Sequence, residues 1–367
     1  MAILLSPEQE EASYSIMEYL ANKRTTPFTM HGLAGTGKTT VLADISRDVP
    51  HAILCTLTGK AASVLRRKTG VMASTIHSAF YQLEGIEEKK GKKDLIFRRA
   101  HDADELAGKI VLLDECSNIN EFMARDIMRT GAKIVACGDP GQLPPVTGEK
   151  FFINPDTTLQ TIHRQALESP IIRQAYRVRN DDPYRTDGDS FRVLKRGFDA
   201  EDLMKADIVL CYTNNTRVAI NQHKRDIMGL VQPYPVAGEP VMCMKNSQEY
   251  GIFNGAIYTL EETFLPGATT IRIDVDGLSK RIPFVRFHGV KNGLNDNDTV
   301  TTHFDFGYSM TVHKAQGSEW ANVALIDEYR RSNERREWLY TAITRASESI
   351  VITPHPLGYQ EQPPLPF

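Results

Sequence analysis

Positive charge is not in surplus in this chain. Its 43 Lys and Arg face 46 Asp and Glu, a formal net charge of −3 over 367 residues. No overall basic field therefore draws in a polyanion, and any polyanion site has to be a local groove. Cysteine is scarce as well: Cys55, Cys116, Cys137, Cys211 and Cys243 form no C-x-x-C pair, and four of them lie within or beside apolar strand-like runs. That spacing offers neither a disulfide frame nor a zinc site and suits buried thiols in a reducing cytosol. No apolar run approaches the ~20 residues that span a bilayer. The opening MAILLSPEQEEA soon turns acidic and has no signal-peptide core. A cytoplasmic protein with no membrane association is the expectation. There is no internal repeat of fixed period.

What is present is ordinary for a globular protein, with 41% hydrophobic and 24% charged residues. The length exceeds the roughly 250–300 residues at which one hydrophobic core stops growing, so two or more domains are expected. Apolar strand-like runs at 28–31, 52–57, 110–114 and 134–138 are each followed by a helix-like stretch, the alternation of a parallel sheet with covering helices. A second set follows, with strands at 208–212, 323–327 and 350–353, a helix-like stretch from Asn214 and another over 332–346. The fold class expected is α/β, with two tandem parallel-sheet phosphate-loop-type domains, 1–152 and 153–357, and a flexible proline-rich tail, 358–367. Two stretches break the rhythm. A lysine-rich segment at about 84–106 suits a β-hairpin turning at Lys90-Gly91-Lys92. The region of about 233–302, with Asn254-Gly255, Asp276-Gly277 and Asn292-Gly293 turn signals, suits a small all-β, barrel-like insertion.

Gly32-Leu-Ala-Gly35-Thr36-Gly37-Lys38-Thr39 matches G-x-x-x-x-G-K-[ST] between an apolar strand and a helix-like run. Glycines let successive N–H groups curl around phosphate oxygens, and the helix N-terminus adds favourable partial charge. Gly35, Thr36, Gly37, Lys38, Thr39 and Thr40 are therefore the expected cradle for ATP, with Lys38 on the β- and γ-phosphates and the Thr39 hydroxyl on Mg²⁺. A glycine turn beside a surface lysine would leave the strand–loop–helix context unaccounted for. Lys109-Ile-Val-Leu-Leu-Asp114-Glu115 supplies the expected partner strand: Asp114 would hold Mg²⁺ through water and Glu115 would polarise the attacking water. Alone, an Asp-Glu after an apolar run is usually just an exposed strand end; downstream of a phosphate loop it gains meaning. Gly138-Asp-Pro-Gly-Gln142-Leu-Pro-Pro145 follows a third apolar strand, from whose end Gln142 can sense the γ-phosphate.

On these motifs together the chain resembles superfamily-1 helicases, the RecD-like and Dda-like branch in particular, and the match runs through nearly the whole chain in the family's order. Gln9 lies where the family's adenine-reading glutamine falls. Leu57-Thr58-Gly-Lys60-Ala-Ala62 resembles the first strand-gripping motif and Ser74-Thr75-Ile-His77 the next. Thr161-Ile-His-Arg164 resembles the segment carrying an arginine finger. Tyr308-Ser-Met-Thr311-Val-His313-Lys314-Ala-Gln-Gly-Ser-Glu319 is the most distinctive block, and Tyr340-Thr-Ala-Ile-Thr-Arg345 carries a second arginine.

The resemblance implies an ATP-dependent DNA helicase moving 5′→3′, the direction resting on the resemblance alone. Lys38, Glu115, Gln142, Arg164 and Arg345 would be its catalytic residues, with Glu319 on the ribose. Both arginines are assigned to the second domain and reach ATP only if the domains close, which makes nucleotide state a switch. Single-stranded DNA would cross the top of both domains, contacting Thr58, Lys60, Thr75 and His77 in the first and Asn214, Thr311, His313 and Lys314 in the second. Hydroxyl and amide groups suit phosphate contacts that carry no sequence information. Phe80 and Pro145 would support or stack bases, and Phe97, at the tip or flank of the hairpin, would cap the last base pair of a fork. Single-stranded and forked DNA are the expected partners, with single-strand-binding or replication proteins beside them, for a monomer acting in a bacterial or phage-infected cell.

Alternatives stay open at several residues. Ser6-Pro7-Glu8-Gln9 also reads as a helix capping box, which alone would explain Gln9. Thr58 and Thr75 also read as turn or cap residues, His77 as a packed histidine, and the lysine-rich hairpin as a solvated loop. Asp181, Asp182, Asp187 and Asp189 read as turn residues, not a nuclease site. At the level of function, a single-strand translocase or RNA helicase with weak unwinding keeps the same ATP site. A nucleotide-gated strand-binding module would leave Glu115, Gln142, Arg164 and Arg345 without a purpose.

Overall fold

The computed structural model describes residues 4–354 except 90–91, 146–147, 163–167, 246, 248–249, 276, 284, 291–299 and 331–332; of residue 60 and residues 83–89 and 92–97 only the backbone is described. The chain divides into two compact units, Met1–Ser169 and Pro170–Phe367.

The first unit is built on a six-stranded, all-parallel sheet. Its strand order is β3 (Ala73–Thr75), β2 (Ile53–Thr56), β6 (Ile110–Leu113), β7 (Lys133–Gly138), β1 (Phe28–Gly32) and β8 (Thr157–Leu159). Both faces are covered, so the strands read as continuous apolar runs. Period two divides their side chains. Leu54, Leu112 and Val135 pack with Ile16, Tyr19, Val41 and Ile45 of α1 (Pro7–Ala21) and α2 (Lys38–Asp48). Cys55, Val111, Leu113 and Ile134 pack on the other face with Ile76, Phe80 and Ile127 of α4 (Ile76–Phe80) and α5 (Glu121–Arg129). α3 (Gly59–Thr69) contributes Ala62 and Leu65 to the first face. The expected boundary after residue 152 gives way to one after Ser169, because β8 pairs in parallel with β1 and its Leu159 joins the first core.

The expected hairpin is present as β4 (Tyr81–Lys89) and β5 (Lys92–Arg99), with a register shift between Leu83 and Gly85. Its base is tied down where Tyr81 and Arg99 both donate to Asp126, each at 3.0 Å. Lys90 and Gly91 of the expected turn lie outside the described residues. Phe97 pairs with Leu83, third from the base, so it belongs to the flank and not the tip.

The second unit contains a five-stranded parallel sheet in the order β17 (Ser309–Thr311), β10 (Ile208–Cys211), β18 (Trp320–Ile326), β19 (Ala346–Thr353) and β9 (Phe191–Val193). Helices Pro170–Arg179, Asn214–Ile227 and Arg335–Ile343 accompany it. Between β10 and β17 the chain forms a second sheet, ordered β14 (Leu278–Pro283), β13 (Thr270–Val275), β12 (Ile257–Leu260), β11 (Pro240–Cys243), β16 (Thr302–Phe306) and β15 (Val285–Phe287). It is antiparallel except for the β15–β16 pair. β13 alternates strictly, burying Ile271, Ile273 and Val275 on one face. The order is open: among the described residues no ladder joins β14 to β15, so strand pairing does not close it into the expected barrel. All five cysteines are buried and unpaired, and no helix of the described residues is long and apolar enough to cross a membrane.

Candidate active site

The phosphate loop leaves the carboxyl end of β1 and enters α2. Gly35 and Gly37 hold φ of 83° and 82°, the left-handed region that glycine enters without a Cβ penalty. The loop closes on itself: Thr36 donates its hydroxyl to the Leu33 carbonyl at 2.9 Å, and Lys38 Nζ donates to the carbonyls of Gly32 and Leu33 at 2.7 and 3.1 Å. The α2 N-terminus carries no side-chain cap, leaving the N–H groups of Lys38 and Thr39 for an anion, while Thr40 N–H donates to the Gly37 carbonyl at 2.9 Å.

Gln9 fastens this loop from α1. Its Nε2 donates to the Thr36 carbonyl at 3.2 Å while its Oε1 accepts from the Ser6 N–H at 3.0 Å, and Ser6 Oγ accepts from the Gln9 N–H. Capping and loop contact are therefore not alternatives here. The capping box fixes the rotamer that reaches Thr36.

β6 ends beside the loop with Asp114 and Glu115. The Asp114 carboxylate accepts from the Glu115 N–H at 2.9 Å. Burial first, and the charge of Glu115 second, push the Asp114 carboxyl above the usual carboxylate range, against the pull of Lys38. Glu115 itself has φ 57° and ψ 37°, a left-handed conformation that costs a non-glycine residue about 1–3 kcal/mol and persists only where its surroundings impose it. From the end of β7, Gln142 Nε2 donates to Glu115 Oε2 at 3.1 Å. Gln142 is 4% exposed, and its Oε1 is buried with no partner among the described residues. Lys38, Asp114, Glu115 and Gln142 thus gather at the carboxyl ends of neighbouring strands, where ligands of open α/β sheets bind.

The oxygen donors of Thr39 and Asp114 fit a hard cation such as Mg²⁺, which takes one or two protein oxygens and completes its shell from phosphate and water. No cluster of three or more His, Cys, Asp or Glu that could hold a metal occurs among the described residues.

In the second unit Arg345 follows helix Arg335–Ile343 and is 6% exposed. Its guanidinium donates to the Thr341 and Ser318 carbonyls at 3.0 and 3.1 Å and to Thr344 Oγ1 at 3.2 Å. No carboxylate pairs with it among the described residues. A buried cation without a counter-charge is costly on stability grounds alone. Glu319, next to Ser318, is exposed. Arg164 lies outside the described residues, and the unit boundary falls after it, not before it as expected.

The strand-contact residues divide. Thr58 and Thr75 are N-caps of α3 and α4, accepting from Ala61 N–H at 3.2 Å and Ser78 N–H at 3.0 Å. The His77 ring lies 5.5 Å from that of Tyr81, and burial lowers its pKa. Lys60 opens α3, and its side chain, like that of Phe97, lies outside the described residues. Phe80 offers no face to a base: it is 2% exposed, packed in the second core of the first unit. α4 is one turn long, and its register turns Phe80 inward under the sheet. Pro145 is half-buried on the loop after Gln142. Asn214 is exposed at the start of helix Asn214–Ile227, Thr311 ends β17, and His313 and Lys314 are half-buried just beyond it.

Two residues that the sequence did not suggest support these groups. Lys150 donates to the Gln142 carbonyl at 2.8 Å. Glu328 accepts from the N–H groups of Tyr212 and Thr213 and from Thr216 Oγ1, at 2.7–2.8 Å, and so fixes the helix start that carries Asn214. Its partners lie more than a hundred positions away in the chain, with no local signal to reveal them.

A family model described as AAA domain matches residues 4–189, and one described as UvrD-like helicase C-terminal domain matches residues 306–353. The ATP-dependent RecD2 DNA helicase of Deinococcus radiodurans is 26% identical over 373 residues, covering 92% of this chain and 48% of that protein. The ATP-dependent DNA helicase dda of phage T4 is 29% identical over 192 residues, covering 48% of this chain and 43% of its own. This chain thus spans about half the length of its RecD2 relative. Among solved structures, Bacteroides Pif1 bound to single-stranded DNA aligns with a TM-score of 0.61 at 19% identity, over 96% of this chain and 92% of that one.

Proposed function

The chain belongs to the AAA domain family and to the superfamily-1 helicases of the RecD-like kind, and from that premise we propose that it is an ATP-driven DNA helicase moving 5′→3′ along a single strand. The observation that carries the reading is the gathering of Lys38, Asp114, Glu115 and Gln142 at neighbouring strand ends, with Gln142 bonded to Glu115. A strand-binding module that only gripped nucleotide would have no use for that pair. The RecD2 and dda relatives are ATP-dependent DNA helicases by name, and a Pif1 relative was solved on single-stranded DNA.

In this reading the N–H groups of Gly35 to Thr40 and the Lys38 ammonium bind the β- and γ-phosphates of ATP. Thr39 and Asp114 would hold Mg²⁺, which would supply charge neutralisation at those phosphates. Glu115 orients and polarises the attacking water, and Gln142 reports the γ-phosphate to it. Arg345 supplies a further cation to the transferring phosphoryl group when the units close, so that nucleotide state gates that closure, and Arg164 supplies another from the same unit as the phosphate loop. Gln9 reads the adenine and Glu319 the ribose. Thr58, Lys60, Thr75, His77, Asn214, Thr311, His313 and Lys314 hold the strand through its phosphates.

Duplexes with a 5′ or a 3′ single-stranded tail test the reading. Unwinding from the 5′ tail alone, lost in Lys38→Ala, is expected; unwinding from the 3′ tail alone refutes the polarity. The flank position of Phe97 favours, as a second reading, a translocase that strips bound proteins and separates duplex weakly. Protein displacement without fork unwinding would select it.

A further inference from the structure

The start of helix Asn214–Ile227 contains a residue with no role in the motifs above. Arg217 lies one turn after Asn214 and is 4% exposed. Its Nη2 donates to Asp305 Oδ2 on β16 at 2.7 Å, in a pair whose two side chains are each 4% exposed, and its Nε donates to Asn214 Oδ1 at 3.3 Å. Its Nη1 is buried and has no partner among the described residues. Asp305 is itself fixed, its Oδ1 accepting from the Phe306 N–H at 2.8 Å. Asn221, one turn further along the helix, donates to the Phe306 carbonyl and accepts from Ser309 Oγ, both at 2.9 Å.

Chemistry decides which way the Asn214 amide faces. A guanidinium carries donors only, so the amide atom turned toward Arg217 must be the oxygen. The amide nitrogen is then left on the exposed side with both its hydrogens, and it has no partner among the described residues. An N–H₂ at an exposed helix start fits an acceptor that carries negative charge, such as a phosphate oxygen. The ion pair is poorly explained by stability, because one guanidinium nitrogen goes unsatisfied among the described residues and a buried pair of this kind is often replaceable by apolar side chains at little cost.

We infer that Asp305 and Arg217 form a positioning relay that presents the Asn214 amide nitrogen to a phosphodiester oxygen of the bound strand. The inference rests on the strand-binding reading above and adds two residues to it, one from the β-insertion and one from the helix beneath the contact. The relay ties the strand contact to the insertion, so that movement of β16 is felt at Asn214.

The test is a double-mutant cycle on binding of an oligo-dT strand by the full chain, read by fluorescence anisotropy. Arg217→Leu with Asp305→Leu removes both buried charges together and is expected to melt close to the parent. Its strand affinity is expected to fall about 10- to 100-fold, the worth of one hydrogen bond to a charged group. Asn214→Ala is expected to lose as much, and the triple variant no more than either. Asn214→Asp keeps the acceptor for Arg217 but removes the N–H₂, and is expected to bind at least as weakly as Asn214→Ala. Losses that multiply in the triple variant, or unchanged affinity in a folded Leu–Leu variant, would overturn the relay. If the Leu–Leu variant melts early, Asn214→Asp decides, since parent-like binding there excludes an N–H₂ contact. Lys314→Ala separates the two levels: weakened binding there beside an inert relay leaves the strand reading standing, whereas no strand binding by the parent removes both.

Discussion

Gln142 donates to Glu115 across 3.1 Å, from the end of one parallel strand to the end of its neighbour, while its own Oε1 is buried with no partner among the described residues. Glu115 is at the same time held in a left-handed backbone conformation at φ 57°. Both are expensive to keep in a structure whose only task is stability.

Gln142→Ala removes the group that orients Glu115, so kcat for ATP is expected to fall about 10- to 100-fold with KM little changed. Glu115→Asn replaces the carboxylate with a shorter, neutral amide but suits the left-handed backbone. Turnover should drop by about 10²–10⁴, with a melting temperature no lower than the parent's. Steady-state kinetics and thermal melting on the same samples check both, and a marked loss of stability in Glu115→Asn would contradict the strain assigned there.

Gln9 bonds both the Ser6 N–H and the Thr36 carbonyl, whereas Ser6 supplies one end of the capping box. Ser6→Ala is expected to cost about 1 kcal/mol of stability with KM for ATP unchanged. Gln9→Ala should cost as much and in addition raise KM about tenfold, with weaker preference for ATP over GTP. Equal KM in the two variants would reduce Gln9 to a cap.

How much of this could be read from the chain depends on how local the physics is. The phosphate loop was legible because few residues other than glycine accept the backbone of positions 35 and 37, and because Lys38 and the helix start are adjacent in sequence. The buried strands β1, β2, β6 and β7 were legible as apolar runs. β8, β9 and β17 were not: three residues carry no periodicity, and what makes each a strand is a neighbour far along the chain. That is why the unit boundary came out too early. Phe80 failed for a similar reason, since a one-turn helix does not declare which face is inward. Arg217 and Asp305 are 88 positions apart, and nothing near either announces the other.

Lys224 gives the fold a pH signature. It donates to the Ala206 carbonyl at 2.7 Å, and burial lowers its pKa to about 8, against about 10.4 in the unfolded chain. Between those values the unfolded state binds more protons than the folded one, so stability rises with pH by up to about 1 kcal/mol per unit and is flat below pH 8 from this group. Lys224→Met should remove that slope; denaturant melts at pH 7.5 to 10 compare the two, and an equal slope in both would place the titration elsewhere.

The central claim is that a strand lying on this chain is felt at the triphosphate. ATP hydrolysis measured with and without single-stranded DNA tests it most directly, with RNA as a parallel arm and Lys38→Ala as the control. Hydrolysis stimulated at least tenfold by the DNA strand, and abolished in Lys38→Ala, is the predicted result. Binding of both ATP and strand with no stimulation would contradict it.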